Sequence, residues 1–501
     1  MKTQYSSLRT RSLWRKKPLY LFEQDIRKST LKRVLNRWSL TAIGVGAVIG
    51  GGIFVLTGTA AHFHAGPALA LSFAIAGVGC IFAALCYGEF AAMLPVEGSA
   101  YAYAYGTVGE LFAWAIGWGL ILEYAMGAMT VAVSWSGYFG KLLHLFGFDL
   151  PYWWTNDPIS AATYARLHDL TAPSFAVNLP AFLIVWVVTA ILVKGIREAA
   201  SANNLIVLVK VAAVLFIILA GAFYVRLENW QPFIPEPATI TGENGLPKVA
   251  YGWGGVLSGA SAIFFAYIGF DAVSTQAGEA INPRKDMPFA IITSLVICTL
   301  LYLLVSLVLT GMLNYRDITG DALKAPVAFA FDQVGQGWAV FIITVAATLG
   351  LISVMLVMML GQTRVFLGMG KDGLLPSFFQ AIHPVYKTPW KSTILVGAVV
   401  SLVAAFTPIG VLSEMTSFGT LFAFTIVCLA VWLLRKREPE RERPFRVPAI
   451  GVIAPLGILI NSVLISQLSA LSQQLAAGWL AVGLIVYFAY GRKNSRLNHL
   501  K

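Results

Sequence analysis

Gly44-Val45-Gly46-Ala47-Val48-Ile49-Gly50-Gly51-Gly52-Ile53-Phe54 lies in the middle of the first apolar run, Leu40 to Ala61. The run is long enough to span a bilayer, which takes about 20 apolar residues at a rise of about 1.5 Å each. Five residues of the stretch are glycine, three of them consecutive. Glycine costs about 1 kcal/mol relative to alanine in a helix interior. The triplet therefore marks where this helix comes apart. Inside a membrane, a broken helix must hand its freed N–H and C=O groups to protein, water or a ligand. The half-helix after the break then offers N–H groups suited to an anion such as a carboxylate. A second reading stays open on these residues alone, because small residues also let two helices pack closely.

The rest of the chain sets this run among others like it. Of 501 residues, 57% are hydrophobic and only 12% charged, against about 25% charged in soluble domains. With a mean hydropathy of +0.73, the chain reads as a polytopic membrane protein. Its basic, polar start does not resemble a cleavable signal peptide. The cysteines, Cys80, Cys86, Cys298 and Cys428, all fall in apolar runs, with neither metal-ligand spacing nor a disulfide framework. The histidines sit in tails, loops or span ends, and no phosphate-binding loop is present. No catalytic set, metal or cofactor is therefore expected, and the chain does not read as an enzyme.

Further apolar runs cover Ala68–Leu94, Leu111–Leu145, Leu179–Val193, Ala202–Val225, Tyr251–Gly278, Phe289–Leu313, Trp338–Gly361, Ser392–Phe406, Val411–Leu434, Ile450–Leu471 and Leu475–Tyr490. With the first run they make twelve expected transmembrane helices. If both ends are cytoplasmic, 29 of the 36 Lys and Arg residues fall in inner segments and only 6 in outer loops. That bias follows the positive-inside rule. It also accounts for most of the net charge of +12 without a nucleic-acid partner. The sixth run, like the first, is glycine-rich, and each opens a set of five. An odd number per set inverts the second relative to the first, and broken helices in matching positions point to a secondary transporter with a midplane site. The expected division is a basic tail over 1–38 with a candidate interfacial helix from Leu19 to Trp38, a first five-helix repeat over 39–226, and an extracellular loop over 227–250. A second repeat over 251–434 follows, then a cytoplasmic loop, helices 11 and 12 and a tail over 435–501.

Few ionisable groups lie within the runs, and each is expensive there. Lys210 sits in Leu205-Ile206-Val207-Leu208-Val209-Lys210-Val211-Ala212 with no acidic neighbour nearby. A buried amine can exchange a proton during a working cycle, or stand in for a metal cation by donating to free carbonyls of the first break. Alternatively its long stem snorkels to the interface. Asp271 ends Phe264-Phe265-Ala266-Tyr267-Ile268-Gly269-Phe270-Asp271. It gates the inner side, binds a cationic group, or caps the second half-helix. Glu123 suggests a gate or a charge pair, and Glu89 a hydrogen-bonded structural acid. Phe264 and Phe265 are candidates to cover a substrate, and Met358, with Met355 and Met359, to line its pocket. Plain packing is the alternative for all of these.

Together with Gly44–Phe54, several further motifs carry a resemblance. They are Pro95-Val96-Glu97-Gly98-Ser99-Ala100-Tyr101, Phe264–Asp271 with Ala272-Val273-Ser274-Thr275, Glu279-Ala280-Ile281-Asn282-Pro283-Arg284-Lys285-Asp286-Met287-Pro288, and Gly361-Gln362-Thr363-Arg364 with Lys371-Asp372-Gly373. From Trp38 to Lys436 the chain resembles bacterial members of the cationic amino acid transporter family, within the amino acid–polyamine–organocation superfamily. The resemblance implies an all-α leucine-transporter-type fold, with a 5+5 inverted repeat, broken helices 1 and 6 and two C-terminal helices. It implies a permease of the bacterial cytoplasmic membrane that imports amino acids by alternating access. It places the substrate α-carboxylate on N–H groups of Gly50, Gly51 and Gly52. The α-ammonium falls on carbonyls around Val48 and Ile49 and at Phe265, Ala266 and Ile268. Lys210 matches a lysine that relatives carry in place of sodium, which implies proton-coupled symport. One departure is Gly51, where relatives often have serine or threonine, so no hydroxyl reaches the carboxylate from this position. A bulky Met358 favours small neutral L-amino acids. Exchange, arginine or lysine transport and a non-transporting sensor are the alternatives, with membrane lipid and a small membrane-protein partner as further candidate contacts.

Overall fold

The computed structural model describes residues 15–18, 21, 35–93, 99–195, 199–242, 247–276 and 280–498. Most of the candidate interfacial helix therefore lies outside the described residues, as do 95–98 and 279 of the resemblance motifs. Among the described residues, seven helices are long and apolar enough to cross a membrane. They include Glu110–Leu145, Pro283–Met312, Gly337–Lys371 and Ile409–Arg437. Shorter apolar helices cover Leu179–Lys194, Trp390–Phe406 and Ile450–Ser466. Among the described residues the chain has the all-α build of a multi-pass membrane protein, with one small hairpin and an isolated bridge between Leu35 and Ala280.

The surface explains why these helices are apolar all round. Leu208, Leu215 and Leu219 are exposed on Ala199–Gly221, Leu300 and Leu304 on Pro283–Met312, and Val482 and Ile485 on Ala470–Val486. Such outward apolar residues suit hydrocarbon rather than water. Inside, Leu69–Met93 packs along Pro283–Met312, and Glu110–Leu145 lies between Gly337–Lys371 and Ile409–Arg437.

Two apolar runs do not continue as single helices. The first is helical over Arg37–Val48, turns extended at Ile49 (φ −67°, ψ 103°), and resumes at Gly52. The second runs as a helix over Gly252–Ala262 and tightens over Ile263–Tyr267. It then turns extended at Ile268 (φ −62°, ψ 141°) and passes through Gly269 at φ 113°.

Several short elements had no counterpart in the apolar runs. These are helices Ser99–Thr107, Tyr152–Thr155, Pro158–Leu167 and Pro326–Gln333, and the antiparallel strands Ala238–Thr241 and Pro247–Ala250. They sit in connections too short and too polar for a reading based on membrane-length hydropathy.

At the end of the bundle that carries the basic loops, buried acids hold the connections. Glu89 accepts from Arg435 Nε and Nη2 at 2.8 and 2.7 Å and from the Val447 N–H at 2.8 Å. Arg443 Nε adds an ion pair at 3.2 Å. The structural reading of Glu89 fits this geometry. Asp372 likewise pairs with Lys17 at 3.0 Å and accepts from Tyr101 Oη at 2.9 Å.

Candidate functional site

The two breaks lie against each other. A Cβ on Gly52 would come within 2.4 Å of Ala266 Cα, and one on Gly269 within 2.8 Å of Ala47 C and O. Each break thus presses a glycine onto the backbone of the other. Gly46 has the same use, since a Cβ there would meet Val207 Cγ2 at 2.2 Å. Close packing and a broken helix therefore occur together in the first run.

Breaking a helix strands carbonyls at the end of its first half, and buried polar groups need partners. Here neighbouring helices supply them. Lys210 is fully buried, and its Nζ donates to Gly46 O, to Ile49 O at 3.1 Å and to Ser353 Oγ at 3.3 Å. It does not snorkel. Its stem runs beside Gly350, where a Cβ would lie 2.6 Å from Lys210 Cγ and Cδ. Tyr302 Oη lies 2.7 Å from Val48 O and 2.8 Å from Ala266 O, so its single proton is shared between carbonyls of both breaks. Beyond the first break the ladder resumes with Ile53 and Phe54 N–H both directed at Gly50 O, at 3.3 and 3.4 Å.

The sixth break is held differently. The Ile268 N–H closes on Phe265 O at 3.1 Å, and the Phe265 N–H donates to Ser417 Oγ at 3.1 Å. Asp271 accepts from the Gly269 N–H at 3.3 Å and from Tyr124 Oη at 2.8 Å. Its carboxylate therefore reaches back over the break as well as across to the Glu110–Leu145 helix. Glu123, next to Tyr124, is buried with neither oxygen in hydrogen-bond geometry among the described residues. The nearby Thr420 hydroxyl donates instead to Thr416 O at 3.1 Å. Glu123 and Asp271 lie within electrostatic reach of each other.

Val48, Ile49, Gly50, Gly51, Gly52, Phe265, Ala266 and Ile268 are thus brought to one place, and all are buried. Phe265 turns its ring toward Gly51 and Gly127, with ring carbons 3.6 and 3.8 Å from the Cβ positions there. Met358 Sδ is 3.5 Å from the same point on Gly127, as is Thr416 Cγ2. Phe264 instead packs on Phe424 and Tyr267. Tyr302, Ser353 and Ser417 were not singled out in the sequence. For Tyr302 a signal existed, since a tyrosine inside an apolar run needs a partner for its hydroxyl. The serines carry no comparable mark, because helical serines commonly satisfy themselves on their own helix.

This centre is buried and built largely from backbone. Residues 35–490 match the amino acid permease family model. The chain belongs to that family, within the amino acid–polyamine–organocation superfamily. It is 43% identical to a methylthioribose transporter of Bacillus subtilis (strain 168), across 97% of this chain and 99% of the relative. It is 42% identical to the branched-chain amino acid permease BcaP of the same organism, with the same coverage. The vacuolar cationic amino acid transporter 4 of Arabidopsis thaliana is 38% identical across 82% of this chain and 64% of the plant protein.

Proposed function

We propose that the chain is a proton-coupled symporter of the bacterial cytoplasmic membrane, importing neutral L-amino acids by alternating access. The observation that carries this reading is Lys210, whose buried amine donates to Gly46 O and Ile49 O at the first break. A bound cation there would take the same carbonyls, so an ammonium that gains and loses its proton is a fitting substitute. The fold behind it is the twelve-helix, 5+5 inverted repeat, with repeats over 39–226 and 251–434 and both termini cytoplasmic. Reciprocal contact of Gly52 with Ala266 and of Gly269 with Ala47 suits such a two-fold relation.

In this reading the substrate carboxylate lies on the N–H groups of Gly50, Gly51 and Gly52, where the helix restarts. The ammonium meets carbonyls around Val48, Ile49, Phe265, Ala266 and Ile268. The side chain points toward Gly127, Phe265 and Met358, an apolar corner that suits aliphatic groups. Every one of these residues is buried, so entry and exit require the helices around the breaks to move. Glu123 and Asp271 stand beside that path, as gating groups or as acids that pair with a positive charge.

Uptake of a labelled amino acid panel into proteoliposomes, with and without an inside-alkaline gradient, tests the reading in wild type and Lys210→Ala. Gradient-driven accumulation that the variant loses, with substrate binding retained, is the expected result. Uptake driven only by internal amino acid, indifferent to pH and to Lys210, would make the protein an exchanger. A second reading rests on the 43% identical methylthioribose transporter. A neutral thioether sugar has no use for a carboxylate site, so accumulation of methylthioribose without amino acid uptake would favour it.

A further inference from the structure

Ser134 lies on the Glu110–Leu145 helix, 1% exposed, and its Oγ has no hydrogen-bond partner among the described residues. A helical serine or threonine in apolar surroundings ordinarily donates back to its own helix. One turn earlier Thr130 does so, reaching Met126 O at 2.8 Å. Ser134 makes no such bond. Its Oγ stands instead 2.9 Å from where a Cβ on Gly51 would be.

That position matters because Gly51 opens the second half of the first helix, where N–H groups lack partners on the helix itself. Gly51 brings no hydroxyl of its own, and the space beside it is filled by one from another helix. The Phe265 ring lines the other side, 3.6 Å from the same point. A hydroxyl left unmatched away from water is costly. An arriving carboxylate would cancel that cost and gain a donor in line with the helix N–H groups.

Resting on the amino acid reading above, we infer that Ser134 Oγ is a substrate-binding group that donates to the α-carboxylate at Gly51. It makes the site select ligands that carry an acid at this point. The hydroxyl comes from position 134 because Gly51 leaves room for it, and the two positions are interchangeable as sources. A Cβ on residue 51 crowds the Ser134 hydroxyl, whereas removing that hydroxyl makes room for one from position 51.

The test is saturation of labelled L-leucine and L-alanine uptake by the full chain in proteoliposomes, with 3-methylbutylamine, leucine without its carboxylate, as competitor. Ser134→Ala should raise the half-saturation concentration by about 10- to 100-fold, the range for a hydrogen bond to a charged group. Inhibition by the amine should be unchanged. Ser134→Cys, close in volume and a weaker donor, should fall between. Gly51→Ser combined with Ser134→Ala should recover most of the loss, although Gly51→Ser alone weakens uptake. Wild-type uptake matched by Ser134→Ala, equal loss of leucine and amine, or no recovery in the double variant would each overturn the inference alone. Wild type taking up neither amino acid would overturn the functional reading, and this inference with it.

Discussion

At the first break the chain brings almost no side chains of its own. Gly50, Gly51 and Gly52 leave bare backbone, and the carbonyls of Gly46, Val48 and Ile49 are matched by Lys210 and Tyr302 from other helices. At the sixth break the chain holds more of its own turn, although Ser417 Oγ takes the Phe265 N–H and Tyr302 Oη faces Ala266 O. The Ile268 N–H returns to Phe265 O, Asp271 takes the Gly269 N–H, and Phe264 and Tyr267 pack as rings against their surroundings. A self-held turn can travel as a unit. A turn whose polar groups belong to its neighbours feels every change in those neighbours, including the protonation of a lysine. If the proposed proton-coupled reading holds, the first break is the place where proton movement and substrate binding would be joined.

The largest effects should come from the glycines by which the breaks touch. Gly52→Ala would push a methyl to within 2.4 Å of Ala266 Cα, backbone that cannot rotate away. Overpacking of this kind costs about 1–3 kcal/mol or more. Gly269→Ala meets Ala47 C and O at 2.8 Å and also loses a φ of 113° that alanine resists. Both variants should lower melting temperature in detergent and bring uptake near background. Gly44→Ala is the milder comparison, since it meets side-chain atoms of Ser294 and Val273.

Next in size is the lysine. Lys210→Met keeps the stem beside Gly350 but removes the donor to Gly46 O and Ile49 O. Each carbonyl left unmatched costs about 1–3 kcal/mol. The protein should still bind amino acid, measured as thermal stabilisation by ligand, while losing accumulation driven by a proton gradient. If the variant still concentrates substrate against a gradient, the lysine fills a structural gap and the contrast between the breaks loses its functional meaning.

How far the sequence foretold this arrangement differs between the breaks for a physical reason. Three consecutive glycines weaken a helix inside lipid, so Gly50-Gly51-Gly52 pointed to the first break while leaving close packing as an alternative. Lys210 is visible as a charge with no cheap place to go. The sixth break has only Gly269 at its centre, and its turn is set by contact with Ala47, a tertiary fact. Tyr302 and Ser134 owe their roles to which way a helix faces after packing, and local sequence does not carry that information. The short helices and the hairpin were hidden in connections where no long apolar period could form.

Between lysine and acid stands Tyr302, whose hydroxyl faces a carbonyl of each break. Tyr302→Phe keeps the ring against Phe73 and Tyr267 but removes bonds to Val48 O and Ala266 O. Its cost should be about 1–3 kcal/mol, read as a lower melting temperature. Uptake should fall by less than in Lys210→Met and remain driven by the proton gradient. Loss of gradient coupling in this variant would instead make the join between the breaks, rather than the lysine, the coupling device.

Asp271→Asn should give the smallest effect and the sharpest test of a self-held sixth break. Asparagine keeps one acceptor oxygen for either the Gly269 N–H or Tyr124 Oη, now 3.3 and 2.8 Å from the carboxylate. It also removes a charge beside buried Glu123. If local hydrogen bonding alone sets the turn, the change costs about 0.5–1.5 kcal/mol, and Tyr124→Phe should match it in melting temperature. Half-saturation for amino acid should then shift only a few-fold in both. Should Asp271→Asn abolish uptake while Tyr124→Phe leaves it intact, charge at this position is required for the cycle. The sixth break would then depend on its neighbours as the first one does, with Glu123 and Asp271 as the acidic counterpart of Lys210.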